Sequence, residues 1–171
     1  MDLIAPAGST RSGVLVVVDW RTDPRVVIAA CRRRATSRDA AFGLVVPAWL
    51  HGLDWVGDPY ASRPCAARQL RGLVRIARAA RLDVELAAVG DPDPCSAVGD
   101  ALDEFAATEI LLCRGRRRAG HPLDLVHRLR RMTGLPVRAP ALRAGIEPRE
   151  PSAWRALAGG GHCVPEVVRS R

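Results

Sequence analysis

The sequence predicts an α/β domain built on a parallel sheet of about five strands. Two observations lead there: short β-branched runs alternate with longer segments of helical period, and the clearest of those runs are apolar throughout. A third supports them, since three of the intervening segments open on a proline.

The first strand is Val14-Leu-Val-Val-Val18, a continuous apolar run of the kind that a central strand covered on both faces requires. Phe42-Gly-Leu-Val-Val46 is the second. Val84-Glu-Leu-Ala-Ala-Val89 and Ile110-Leu-Leu-Cys113 follow as third and fourth. Leu135-Pro-Val-Arg138 is a short fifth, whose proline suits a strand start or an edge.

Helices fill the intervals. Asp23-Pro24, Asp93-Pro94 and His121-Pro122 each place proline at a first helical position, where its missing N–H costs nothing. The two aspartates can also cap backbone N–H groups and complement the helix dipole. Apolar residues then recur at helical spacing, giving one buried stripe per helix. The stripes are Val26, Val27, Ala30; Leu70, Leu73, Val74, Ala77; Val98, Ala101, Leu102, Phe105; and Leu125, Val126, Leu129, Met132.

The 171 residues suffice for one domain with a real core. Three segments are expected: a flexible lead over residues 1–12, the α/β domain over 13–140, and a mostly mobile tail rich in proline, glycine and arginine over 141–171. No apolar run is long enough to span a bilayer, and the first residues lack the basic and apolar regions of a secretory signal. Cys31, Cys65, Cys95, Cys113 and Cys163 form an odd set without a C-x-x-C pair, so reduced thiols and a cytoplasmic location are expected. No metal site is expected, since His162-Cys163 alone is a weak ligand set.

The net charge of +8 is carried by 26 arginines with no lysine, a bias that points to coding preference before function. Arginine forks nevertheless suit phosphate, nucleic acid or acidic partners. Between the second strand and second helix, Trp49, His51, Trp55 and Tyr60 cluster in a stretch that reads either as a binding loop or as a hydrophobic plug on the sheet end.

Taken together, Val14 to Asp19, Leu44-Val-Val-Pro47, Gly90-Asp-Pro92, Glu109-Ile-Leu-Leu112 and Gly134-Leu-Pro-Val137 resemble the universal stress protein superfamily over residues 13–140. Val46-Pro-Ala48, His51-Gly-Leu-Asp-Trp55 and Gly90-Asp-Pro-Asp-Pro94 resemble more narrowly an actinobacterial branch of it. The resemblance implies a Rossmann-like, doubly wound sheet of order 3-2-1-4-5, with any ligand where strands 1 and 4 diverge. It also implies that Asp19 faces a nucleotide base, that the backbone of Val45 and Val46 supports it, and that a G-x-x-G-x9-G-[S/T] loop wraps the phosphates.

The loop departs from that pattern. After the fourth strand the chain reads Arg114-Gly-Arg-Arg-Arg-Ala-Gly120-His121, and the expected Gly-Ser step falls near Leu123-Asp124. A carboxylate at a helix N-terminus competes with phosphate for the same N–H groups, which argues against orthodox ATP binding. Arg114, Gly115, Gly120 and His121 remain as candidates for holding a phosphate through arginine forks, and a solvated surface loop is the plainer reading.

No catalytic constellation is present: the histidines have no G-x-S-x-G serine or H-E-x-x-H partner. The expected function is thus a non-catalytic stress or regulatory domain, a homodimer, binding a nucleotide-like ligand or a partner in the cleft. No particular cofactor is implied. The alternative is a nucleic-acid-binding module using Arg116, Arg117 and Arg118 with Arg32 to Arg34 and the Arg128, Arg130, Arg131 face. Against it stands the lack of an aromatic platform or recognition-helix pattern.

Overall fold

The computed structural model describes residues 11–35, 39–50, 61–114 and 122–140. Nine elements alternate along them: β1 (Ser12–Val18), α1 (Pro24–Ala35), β2 (Ala40–Pro47), α2 (Arg63–Ala79), β3 (Asp83–Gly90), α3 (Pro94–Glu104), β4 (Glu109–Cys113), α4 (Pro122–Thr133) and β5 (Val137–Arg138). The strands form one sheet of order β3-β2-β1-β4-β5, and every neighbouring pair is parallel. The expected doubly wound α/β fold is what the chain adopts.

The period-two alternation of the strands divides the core into two layers. Val14, Val16, Val18, Phe42, Leu44 and Val46 face α1 and α2, with Val27, Cys31 and Leu73 among their partners. Leu15, Val17, Val45, Ile110 and Leu112 face α3 and α4, against Val98, Phe105 and Leu129. Residues 14–18 are at most 1% exposed, which is why that run carries no polar position before Asp19.

Helix starts follow the prolines: α1, α3 and α4 begin at Pro24, Pro94 and Pro122. Asp93 Oδ2 accepts the Ser96 N–H at 3.0 Å, and Asp23 Oδ1 accepts the Arg25 N–H at 2.9 Å. The start of α2 is of the same kind, with a proline in its first turn after Ser62. Two expected stripe residues differ. Met132 is 47% exposed, because α4 ends at Thr133 above a β5 of only two residues and its last turn overhangs the sheet. Val26 is half-buried, the stripe of α1 being turned toward Val27, Ile28, Ala30 and Cys31.

Close approach fixes two glycines. A Cβ on Gly13 would lie 2.0 Å from the Ala106 carbonyl oxygen, and one on Gly43 would lie 2.9 Å from the Phe105 ring, which occupies that space. The amino rim of the sheet is laced by charge. Arg11 reaches Asp39 at 3.7 Å, Asp83 at 2.5 Å and Glu85 at 3.2 Å, while Glu109 Oε2 takes Arg34 at 2.7 Å and Arg138 at 3.4 Å.

Cys31 and Cys113 are buried thiols, as expected. Cys65 departs from the all-thiol expectation and is disulfide-bonded; it sits partly exposed on the first turn of α2, whereas the two buried thiols lie in the core. Among the described residues, no helix is long and apolar enough to cross a membrane.

Candidate functional site

The carboxyl ends of β1 and β4 diverge to neighbours on opposite sides, β2 and β5, and an open α/β sheet offers its natural crevice at that point. β1–β4 pairing ends at Val18–Cys113. Beyond it the chain turns within four residues. The Asp19 N–H donates to the Cys113 carbonyl at 3.0 Å, and the Thr22 hydroxyl donates to that same carbonyl at 3.2 Å. Asp19 Oδ1 accepts the Arg21 N–H at 3.0 Å, an Asx-type turn closed by the Thr22 N–H on the Asp19 carbonyl at 2.8 Å. Gln69 of α2 donates to the Thr22 carbonyl at 2.6 Å and fixes the turn from the helix layer.

Two tryptophans cover this rim. Trp20 packs on the α1/α2 layer and Trp49 on the α3/α4 layer, and the Trp20 indole N–H donates to the Trp49 carbonyl at 3.1 Å. Each carries an arginine on its ring: the Arg21 guanidinium carbon lies 4.8 Å from the Trp20 centroid, and that of Arg114 lies 5.1 Å from the Trp49 centroid. A guanidinium stacked this way keeps its N–H donors in the plane of its own fork, where a carboxylate or phosphate can meet them.

Of the residues expected from the sequence, Asp19 and Arg114 fall into this one network. Asp19 is 7% exposed and its carboxylate is engaged by its own turn. Val45 and Val46 are fully buried and point into opposite layers, so only their backbone can meet a ligand; β1–β2 pairing ends at Val17–Val45, leaving Val46 past the last pair. Gly115, Gly120 and His121, like Arg116, Arg117 and Arg118, lie outside the described residues. Arg128 and Arg131 are exposed on α4, where Arg128 reaches Asp93, the cap of α3, at 3.7 Å.

Trp20, Arg21 and Thr22 are not among the residues expected from the sequence. Their signal is plain in hindsight of the geometry: a Trp-Arg-Thr step immediately after the aspartate that ends a buried strand. For Trp49 the structure favours the plug, since its ring packs on the core, while the arginine above it retains an outward face.

The Cys113 and Cys31 thiols sit just beneath the rim in the α1/α2 layer. Burial pushes both up, Cys31 from 9.0 to about 12, and Cys113 is raised further by its neighbour Cys31. Neither supplies a thiolate nucleophile at neutral pH. Among the described residues no group of three or more histidine, cysteine or acidic side chains is arranged to hold a metal ion.

No family model matches the sequence, and no curated protein matches it. Solved structures do share the architecture. A universal stress protein from Archaeoglobus fulgidus superposes with a TM-score of 0.51 at 22% identity, covering 75% of this chain and 92% of that one. A protein from the universal stress protein family from Burkholderia pseudomallei gives 0.54 at 20% identity, covering 78% of this chain and 98% of its own. With its strand order, its paired helix layers and these likenesses, the chain has the universal stress protein fold.

Proposed function

We propose that this chain is a non-catalytic, cytoplasmic stress-response domain that acts as a homodimer and senses a phosphate-bearing, nucleotide-like ligand at the β1/β4 crevice. The observation that carries this reading is the Arg114 fork held over Trp49 at the carboxyl end of β4, in one network with Asp19. A rigidly placed guanidinium recognises phosphate oxygens without the full glycine loop that backbone recognition needs. Gly115, Gly120 and His121, a little further along the sequence, are the other candidates that the sequence offers for the ligand. Asp19, already turned inward, orients the strand end and the ligand's base edge, with the Val45 and Val46 backbone beside it.

The test is to purify the protein from its native host, denature it, and identify by mass spectrometry whatever small molecule is released. A nucleotide or phosphate ester released from the wild type and lost in Arg114→Ala establishes the crevice as its site. A protein that carries nothing, and that no added nucleotide stabilises against heat, rejects the proposal. Sedimentation of the same sample reports whether it is a dimer.

A further inference from the structure

β3 is an edge of the sheet: among the described residues it pairs with β2 alone, and every position along it is exposed or half-buried. Its amino half carries guards of the kind that open edges use, the charges of Asp83 and Glu85 and a register irregularity opposite them, between Phe42 and Gly43 of β2. The upper half, Leu86-Ala-Ala-Val-Gly90, has no charge, no proline and no bulge. Such a strand, with one row of its peptide groups unused, is a template for another. Its apolar side chains are partly covered on both faces, Val89 at the margin of the α1/α2 layer and Leu86 at that of the α3/α4 layer.

The top of that edge is where α2 begins. Arg63 borders, with Gly90 and Asp91, a cavity of about 310 Å³ between β3 and α3, whose wall toward the amino rim is Asp100 and Glu104. Those two carboxylates stand four residues apart on α3, where like charges repel, and neither makes an ion pair. Cys65, two positions past Arg63, is disulfide-bonded. Cys31, Cys95 and Cys113 are thiols, so of the five cysteines in this chain only Cys163 is left to pair with it.

We propose that Cys163 is the partner of Cys65, and that the segment after it, Glu166 to Arg171, docks on the β3 edge as a sixth, antiparallel strand. A segment tethered at the carboxyl end of β3 runs down the edge as it leaves Cys163, which sets the direction. Pro165 falls ahead of the strand, where its missing N–H costs no ladder bond. Alternation then puts Val168 on the α1/α2 face beside Val89, and Val167, Arg169 and Arg171 on the α3 face, over Leu86 and the two free carboxylates. The spacing matches: two residues along a strand and four along a helix both advance about 6–7 Å. A second copy of β3 at this edge would bring Asp100 and Glu104 no positive charge. The chain between Pro140 and Cys163 reaches roughly 75 Å when extended, against a sheet about 20 Å wide. The tether makes docking intramolecular, so a short strand suffices. None of these residues belongs to the β1/β4 crevice, and the inference does not depend on the reading proposed there.

Two measurements on the full chain test this. Protein purified in air, its thiols alkylated before digestion, should yield a disulfide-linked peptide pair joining Cys65 to Cys163, and should run as a monomer on a non-reducing denaturing gel. Amide exchange followed by NMR then reads the edge. The amides between Leu86 and Val89 that do not bond β2 should exchange roughly tenfold or more slowly in the wild type than in the Val167→Asp, Val168→Asp variant, which keeps the disulfide, and than in Cys65→Ser. The amides of Val14 to Val18 report global stability and should change less than those of the edge. A peptide map without the Cys65–Cys163 link, a disulfide-linked dimer, or edge amides that exchange alike in the wild type and the valine variant overturns the proposal. So does a loss of protection shared equally by β1 and the edge. Edge protection that rises with protein concentration overturns it too, since a second copy then occupies β3.

Discussion

Arg114 lies over the ring of Trp49, its guanidinium carbon 5.1 Å from the centroid, so a residue of the β4 end is positioned by one that follows β2. The strand between them, β1, contributes the link: Trp20 donates to the Trp49 backbone while Asp19 donates to Cys113. Replacing Trp49 by leucine removes the ring and leaves Arg114 without its platform. Affinity for a crevice ligand should fall by a factor of roughly 2 to 30, the span of a stacked guanidinium's worth, whereas Trp49→Phe should keep most of it. Ligand-induced shifts in melting temperature for the two variants report the difference.

Asp19 has a structural duty and a proposed binding duty, and two substitutions separate them. Asn keeps an oxygen to accept the Arg21 N–H, so Asp19→Asn should melt within a few degrees of the wild type while losing the charge that a ligand sees. Asp19→Ala loses the turn as well and should cost about 1 kcal/mol, a few degrees in melting temperature. Equal stability of the alanine and wild-type proteins would show that the turn does not depend on the side chain.

The β1 start tolerates no side chain. Gly13→Ala drives a Cβ against the Ala106 carbonyl, on the same stretch where the Gly13 carbonyl accepts both the N–H and the hydroxyl of Thr108. A loss of at least about 2 kcal/mol is expected in urea unfolding. On α4, Leu129→Ala should cost about 2–5 kcal/mol and Met132→Ala under about 0.5 kcal/mol, because the first is fully buried and the second is not.

Alkaline pH should weaken the fold through Cys31 and Cys113. Below pH 9.0 the thiols are protonated in both folded and unfolded chains and contribute no pH dependence. Above it the unfolded chain releases those protons while the folded chain holds them, up to about 12 for Cys31. Stability therefore falls as pH rises from about 9, on the order of 1 kcal/mol per pH unit per thiol. Urea midpoints at pH 8 and 10.5 measure it, and the Cys31→Ala, Cys113→Ala variant should lose most of the slope.

Much of this architecture is legible in the sequence because its determinants are local. Pro24, Pro94 and Pro122 mark helix starts by a restriction of their own backbone, and the run from Val14 to Val18 can be satisfied only between two covering layers. Met132 is misread for the opposite reason: helical period places it on the apolar stripe of α4, and only the length of β5, a partner across the sheet, decides that nothing lies beneath it. The site divides the same way. Asp19 and Arg114 are found because they end strands, but the stacking of Arg114 on Trp49, 65 positions apart by number, depends on which strands become neighbours.

The two rims of the sheet are fastened by different physics. At the amino rim Arg11 bridges Asp39, Asp83 and Glu85, and Glu109 ties Arg34 to Arg138; at the carboxyl rim Asp19, Thr22, Trp20 and Gln69 are joined through backbone carbonyls and indole packing. Ionic strength consequently acts on the molecule with a direction. In 1 M salt, where charges more than about 3 Å apart are screened, the exposed pairs slacken and the hydrogen-bonded seam does not. Amide exchange should then quicken around Ser12, Asp83 and Val137 first, with the strand tops at Val18 and Cys113 the last to open, so that the sheet breathes from one end.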